Sequence, residues 1–419
     1  MPSIHQPESV AQPRGTRADF VSRLSPPLLQ LLHETAGQSV GESRERLADV
    51  IRVLSERFTK GLDAPLSAYL DDPALASAYQ SYYLPVNAAK VAALLAELPK
   101  MPAERETPQW PLRVLELGGG PGTGLVALLD WYAQQSWRDR IALEIITVDR
   151  SARALEQGAR LSAQVIKRLN LGRATVTSIH TDLERLPGAP GISQAIPPGP
   201  YDLILLVNCL NELYRSSHDS HEARVAFMRH WLKALSESGT FMVIEPALRP
   251  VARQLHRVRD ALLQAGDCTV YSPCLHEAPC PALIKEDDWC HEERPWASPD
   301  WIVDLDRELG FIKDALKFSY LLLRKDGQTI VPREPNVFRV VSELRPMKGD
   351  TRAWLCNETG RPEVGRLDRE RSDTNVAVEA WHRGAIVRIS EIIRKERKGR
   401  EGTVGRIPAS AKVEIIRSS

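Results

Sequence analysis

The chain has 419 residues, enough for about two or three domains of ordinary size, and its formal net charge of +1 excludes any global electrostatic pull toward nucleic acid or membrane. Hydrophobic residues make up 43% and charged residues 26%, the composition of a globular protein. No run of about 18 apolar residues occurs, so no helix is expected to span a bilayer, and MPSIHQPESVAQPRGTRADF has no apolar segment of the secretory kind.

Residues 1–18 are expected to be disordered, and a helical N-terminal domain is expected over 19–105. LLQLLHETA, RLADVIRVLSERF and NAAKVAALLAEL space their apolar residues at helical intervals. Between them, SAYLDDPALASAYQSYYLPVN holds two turn signals, Asp-Asp-Pro and Leu-Pro. From 106 to 326 strands and helices alternate. Strands are predicted at Arg113–Leu117, Ala142–Asp149, Ala174–His180, Tyr201–Asn208 and Thr240–Glu245, with helices at Gly124–Gln135, Ala152–Leu169, Glu222–Ser236 and Val251–Ala265. Such alternation predicts an α/β fold with a doubly wound, largely parallel sheet. A Cys- and Pro-rich stretch over 267–299 follows without hydrophobic period, so something other than an apolar core must hold it. Trp301–Leu309 reads as a short helix, and FIKDALKFSYLLLRK as strand returning to the sheet. Short alternating segments over 327–395 predict a small β-rich domain, and 396–419 a basic tail.

The segment VLELGGGPGTG is strand, glycine-rich turn and helix start. Its Glu116, Gly118, Gly120 and Gly122 match the E/D-x-G-x-G-x-G pattern of class I methyltransferases, where glycines let a ligand approach the main chain and the next helix faces the methionine carboxylate. Gly-Lys-Ser/Thr is missing from the end of the turn, which disfavours a nucleoside triphosphate. A dinucleotide site competes. Asp149, ending the second strand, is placed to hold ribose hydroxyls, and Asp182, after the third, to hold the adenine amine. That favours S-adenosylmethionine. VNCLNEL ends the fourth strand and sets Asn208, Asn211 and Glu212 over the same edge, where they could orient an acceptor; no catalytic residue is assigned. The alternative is that Asp149 and Asp182 are solvated strand ends.

Six cysteines occur, and three of them, Cys274, Cys280 and Cys290, have C-x5-C-x9-C spacing. Thiolates ligate zinc or iron–sulfur clusters, and the absence of paired C-x2-C knuckles weakens zinc. A fourth ligand is wanted. Cys356 is the best candidate, with Cys268, His276 and His291 as rivals, and unrelated free thiols as the alternative. Cys209, following a buried strand, reads as structural.

Taken together, YLDDPALASAYQSYYLP, EPALRPVARQLHRVRDALL, PCLHEAPCP, DDWCH, FSYLLLRK and LCNETG resemble the Rsm-type methyltransferase-like family of ribosomal small-subunit assembly factors, with mitochondrial and bacterial members. The resemblance implies a [4Fe–4S] cluster on Cys274, Cys280, Cys290 and Cys356, with zinc as the alternative. It also implies binding to rRNA of the small subunit. Lack of a clear organelle presequence favours a bacterial-type, cytoplasmic member over a mitochondrial one. The basic run Arg394–Arg400 could meet phosphates or be a solvated chain end. The leading expectation is therefore an S-adenosylmethionine-dependent, methyltransferase-fold protein acting on small-subunit rRNA and carrying an iron–sulfur cluster. Its alternatives are a non-catalytic RNA-binding assembly factor and a small-molecule methyltransferase with a zinc loop.

Overall fold

A computed structural model describes residues 24–39, 44–60, 69–99, 110–185, 196–311, 315–396 and 403–418. The expectation for 1–18 lies outside them, as do Arg397, Lys398 and Arg400 of the basic run.

Four helices come first: α1 (Pro26–Ser39), α2 (Arg44–Lys60), α3 (Pro73–Ala78) and α4 (Leu84–Leu95). The Asp-Asp-Pro signal is the start of α3. Asp72 accepts from the Ala74 and Leu75 amides at 2.8 and 3.1 Å, and Pro73 occupies the first helical position, where no amide is needed. The expected break at Leu-Pro is not a break. Pro85 sits in the first turn of α4, and the chain reaches it through a widened π turn over Tyr79–Tyr83, so the helix runs on.

The alternating region forms β1 (Leu112–Leu117), α5 (Thr123–Ala133), β2 (Leu143–Asp149), α6 (Ala152–Arg168), β3 (Ala174–His180), β4 (Tyr201–Val207), α7 (Ser220–Lys233) and β5 (Leu235–Pro246). After α8 (Arg249–Gln264) come β6 (Thr269–Ser272), β7 (Glu292–Arg294), α9 (Asp300–Leu309) and β8 (Leu316–Arg324). The sheet order is β3-β2-β1-β4-β5-β8-β6, with β7 also on β8. Strands β1 to β5 pair in parallel, while β8 runs antiparallel to β5. The sheet is therefore mixed, a parallel core with an antiparallel edge.

Period-two alternation divides each central strand between two apolar layers. On β4, Leu203 and Leu205 join the layer of α5, α6 and the N-terminal helices, while Ile204 and Leu206 join that of α7 and α8. Burial on both faces is why β4 reads as an unbroken apolar run.

The stretch between β6 and β7 is held by two arginines of α8. Arg259, fully buried, donates to the carbonyls of His276 and Ala278 at 2.5 and 2.9 Å. Arg253 donates to the carbonyls of Ala282, Lys285 and Asp288 at 2.9, 2.7 and 2.6 Å. Guanidiniums here do what an apolar core does elsewhere, by satisfying carbonyls that have no ladder.

A second sheet contains β9 (Val337–Val340), β10 (Arg345–Met347), β11 (Asp350–Cys356), β12 (Glu363–Leu367), β13 (Ile386–Ile389), β14 (Ile393–Glu396), β15 (Thr403–Arg406) and β16 (Val413–Arg417). Its order is β14-β15-β12-β11-β9-β13-β16, with β10 on β11. Val340, Leu355, Val364, Val387 and Trp381 fill its core. Trp381 is 3% exposed, which removes it as a base-stacking platform.

Candidate functional site: the glycine-turn cavity

The turn after β1 opens a cavity of about 240 Å³ at the C-terminal edge of the parallel strands, where open α/β sheets place ligands. Glu116, Gly118, Gly120, Asp149, Asp182 and Asn208 all line it, as do Asn211 and Glu212. Gly122 stands just behind, in the left-handed region with φ +94° at the start of α5. A Cβ there would come within 3.1 Å of the Gly158 Cα, so the start of α5 packs backbone to backbone against the middle of α6.

Glu116 pins the turn. Its buried carboxylate accepts from the Thr147 hydroxyl at 2.8 Å and from the amides of Gly124 and Leu125, the first turn of α5. Burial nonetheless pushes its carboxyl up to about 7. Asp149 is oriented in the same manner, accepting from the Gly120 amide at 2.9 Å and the Ser151 amide at 2.8 Å. Burial raises its pKa as well, against those hydrogen bonds. Asp182 accepts from the Glu184 amide at 3.0 Å. Asn208 adopts a left-handed backbone, φ +51°, while its amide donates to the Ile244 carbonyl at 2.7 Å, so the chain turns sharply out of β4 into the cavity wall.

Two features of the wall escaped the sequence reading. Residues 209–213 are clamped from both sides: Glu245, at the end of β5, accepts from the Leu210 and Asn211 amides at 2.9 and 3.2 Å, and Arg224 of α7 donates to the carbonyls of Leu210 and Leu213, both at 2.9 Å. An acid closing the apolar strand FMVIEP was the available signal. The second feature is the contribution of the N-terminal helices. Tyr69, Tyr79, Tyr83 and Phe58 cover the cavity's far side, and the Tyr79 hydroxyl lies 3.2 Å from the Thr123 hydroxyl on α5. The turn holding Tyr69 is hooked down where the Ser151 hydroxyl donates to Asp71 at 2.8 Å. No periodicity marks these residues as wall.

Burial also pushes Glu212 up to about 7 and Glu245 up to about 8, the latter with added repulsion from Glu212. Carboxyls raised above their ordinary 4.5 stabilise the fold fully below that value, and the contribution is lost as pH rises through 7 and 8. The melting temperature of the ligand-free protein is therefore expected to fall by several degrees between pH 5 and pH 8, and Glu245→Gln to flatten that slope. Thermal melts across this range check it; an unchanged slope in the variant would remove Glu245 as a contributor.

The cysteine expectation needs correction. Cys274, Cys280, Cys290 and Cys356 do face one narrow cavity of about 40 Å³ beneath β8 and β9. Yet among the described residues no group of three or more His, Cys, Asp or Glu side chains is arranged to hold a metal ion. That overturns the [4Fe–4S] cluster on these four cysteines, the zinc alternative, and the function built on either. The physical chemistry agrees. Burial pushes the thiols of Cys280, Cys290 and Cys356 up and favours S–H over the thiolate a metal needs. The Cys356 Sγ instead lies 3.5 Å from the His276 Nε2. Of the rival ligands, His291 Nε2 is paired with Glu293 at 2.9 Å, and Cys268 is packed among the apolar residues of α8.

No helix among the described residues is long and apolar enough to cross a membrane. Arg394 and Lys395 are exposed on β14. Among solved structures the chain is similar to the CcbJ methyltransferase of Streptomyces caelestis, at 21% identity over 38% of this chain and 52% of that one, TM-score 0.25. It is also similar to an SAH-bound methyltransferase of calicheamicin biosynthesis, at 21% identity over 52% and 50%, TM-score 0.27. A third is the magnesium protoporphyrin IX methyltransferase of Synechocystis PCC 6803 with bound SAH, at 11% identity over 66% and 99%, TM-score 0.32. The chain spans about half the length of the first two. Scores and identities this low transfer neither ligand nor activity. No curated protein matches the chain. Residues 74–367, from α3 to the end of β12, match the protein family described as "Rsm22: Mitochondrial small ribosomal subunit Rsm22".

Proposed function

The chain belongs to the Rsm22 family, and from that membership we propose that it is an RNA-binding assembly factor of the small ribosomal subunit that holds S-adenosylmethionine in the glycine-turn cavity, methyl transfer not being required for the role. The observation that carries this reading is the extent of the family match. It covers the glycine turn and the strand ends that carry Asp149, Asp182 and Asn208, and it runs on through β12 of the second sheet, which supports reading the two as one functional unit.

The cavity's own chemistry supports the ligand. A Cβ on Gly118 would lie 2.3 Å from the Cys209 Sγ, so the glycine lets the turn after β1 and the loop after β4 pack directly together in the cavity lining. The Asn211 Oδ1, in the same lining, is buried with no hydrogen-bond partner among the described residues, an acceptor that a ligand donor would satisfy. In this reading Asp149 holds the ribose hydroxyls and Asp182 stands near the adenine. The glycine turn and the start of α5 face the methionine carboxylate, with Gly120, Gly122 and Asn208 completing the cradle. When bound, S-adenosylmethionine supplies an electrophilic methyl group on sulfur. Asp149, already fixed by two amides, orients without reorganising.

Arg394 and Lys395 on β14 give the second sheet an exposed basic edge for phosphates. The family description names the mitochondrial small ribosomal subunit. Co-sedimentation of the full chain with small ribosomal subunits, with labelled methyl donor present, tests the proposal. Expected are salt-sensitive association and no label in the RNA. Absence of association overturns the assembly role, and stoichiometric label in the RNA overturns the non-catalytic one.

A further inference from the structure

Five acids line the glycine-turn cavity, and four of them are already engaged. Glu116 holds Thr147, Asp149 holds two amides, Asp182 holds the Glu184 amide, and Glu184 accepts from the Tyr214 amide at 2.8 Å. Glu212 differs. Among the described residues its carboxyl has neither a hydrogen bond nor an ion pair, although it is largely shielded from water. Its neighbour in sequence, Asn211, presents the unpartnered Oδ1 to the same space. Two adjacent acceptors without donors form a local site for positive charge, because a carboxylate shielded from water is costly until a cation or donor meets it. The rings of Tyr69 and Tyr79, 6.3 Å apart, line the far side of the same cavity, and aromatic faces attract onium groups.

We propose that Glu212 is a specificity-determining residue that pairs with the positive sulfur of the ligand, so that the cavity selects the sulfonium S-adenosylmethionine over the neutral thioether S-adenosylhomocysteine. This rests on the reading above that the cavity takes an S-adenosyl nucleoside. The two compounds share adenine, ribose, carboxylate and ammonium, so a difference in affinity between them reports the sulfur's methyl and charge alone. The groups coupled to Glu212 are Asp149 from β2, Arg150 just beyond it, Cys209 and Arg215 from its own loop, Glu245 from β5, and Tyr69 and Tyr79 from the N-terminal region. Arg215 and Arg150 lower its pKa while Asp149 raises it, and burial outweighs all three. Near neutral pH Glu212 is therefore partly protonated in the free protein, and an arriving sulfonium expels that proton whereas a thioether does not.

Calorimetry of the full chain with each compound, at pH 7 in two buffers of different ionisation heat, and again at pH 8, tests this. Expected is affinity about tenfold or more greater for S-adenosylmethionine at pH 8, with proton release at pH 7 for that compound only. Glu212→Gln, which keeps the shape, is expected to bring the two affinities together, chiefly by weakening S-adenosylmethionine, and to abolish proton release. Equal affinities in the unsubstituted protein overturn the inference while the nucleoside reading stands. Equal loss of both compounds in Glu212→Gln overturns it too, by assigning the carboxylate to the shared ammonium. Binding of neither compound overturns the nucleoside reading itself.

Discussion

Replacing Gly118 with valine is expected to abolish binding of S-adenosyl nucleosides, lowering affinity at least a hundredfold, and to cost stability as well. Two causes act together. Gly118 holds φ +71°, a region that costs a β-branched residue about 1–3 kcal/mol. Its Cβ would also meet Cys209, whose Sγ would stand 2.3 Å away and whose Cβ 2.9 Å away. Cys209 cannot swing aside, because its loop is clamped by Glu245 and Arg224 and its side chain packs against the apolar layer of α7. The strain therefore passes to the turn, and the cradle deforms. Calorimetry with S-adenosylhomocysteine on protein shown to be folded by circular dichroism measures the effect. Gly172→Ala is the control, since nothing lies within 4 Å of a Cβ there. Wild-type affinity in Gly118→Val would remove this cavity as the nucleoside site.

Arg339→Ala is expected to destabilise the protein by about 3–5 kcal/mol, the cost of stranding a buried charge. Arg339 on β9 of the second sheet donates to Glu292 on β7, and to the Tyr320 hydroxyl on β8 at 3.1 Å. Glu292 lies 3.5 Å from Arg294, which in turn is paired with Glu97, just past α4. Ser272 donates to Glu97 at 2.9 Å. All four charged side chains are at most 6% exposed. Burial alone would raise both glutamates, yet the guanidiniums of Arg294 and Arg339 hold them below the ordinary carboxylate range. Two acids and two bases balance, so deleting one base leaves a carboxylate uncompensated at the junction of helices, first sheet and second sheet. Urea denaturation measures the loss. A change under about 1 kcal/mol would show that water reaches the network and that it does not lock the three parts together.

These two experiments probe different levels of what the chain encodes. The glycine turn was legible because a main-chain constraint leaves a local trace. Positive φ at Gly118 and Gly122, an acid two residues ahead of Gly118, and a helix start within a few residues are all written within about ten positions. The strand and helix order of the parallel sheet was legible for a related reason, since burial on one or both faces imposes a period on each segment, as along β4. Even so, Leu84–Pro85 has the residue types of a turn, while the backbone's answer to that proline, a widened π turn, has no signature in residue type.

Long-range geometry decided the rest. Cysteine spacing showed that thiols were available, but whether they converge with ligand geometry depends on where β8, β9 and β11 place them, and among the described residues they form no metal-holding group. The same holds for Glu97, Glu292, Arg294 and Arg339, which look like surface charges in sequence and become a buried lattice only when three parts of the fold close on them. Local chemistry determined where the chain bends and which face is apolar; contacts between residues far apart in sequence determined which charges are paired and which cavity acid, Glu212, has no partner among the described residues. Pairing free energies depend on distance and dielectric, and neither exists until the chain has folded.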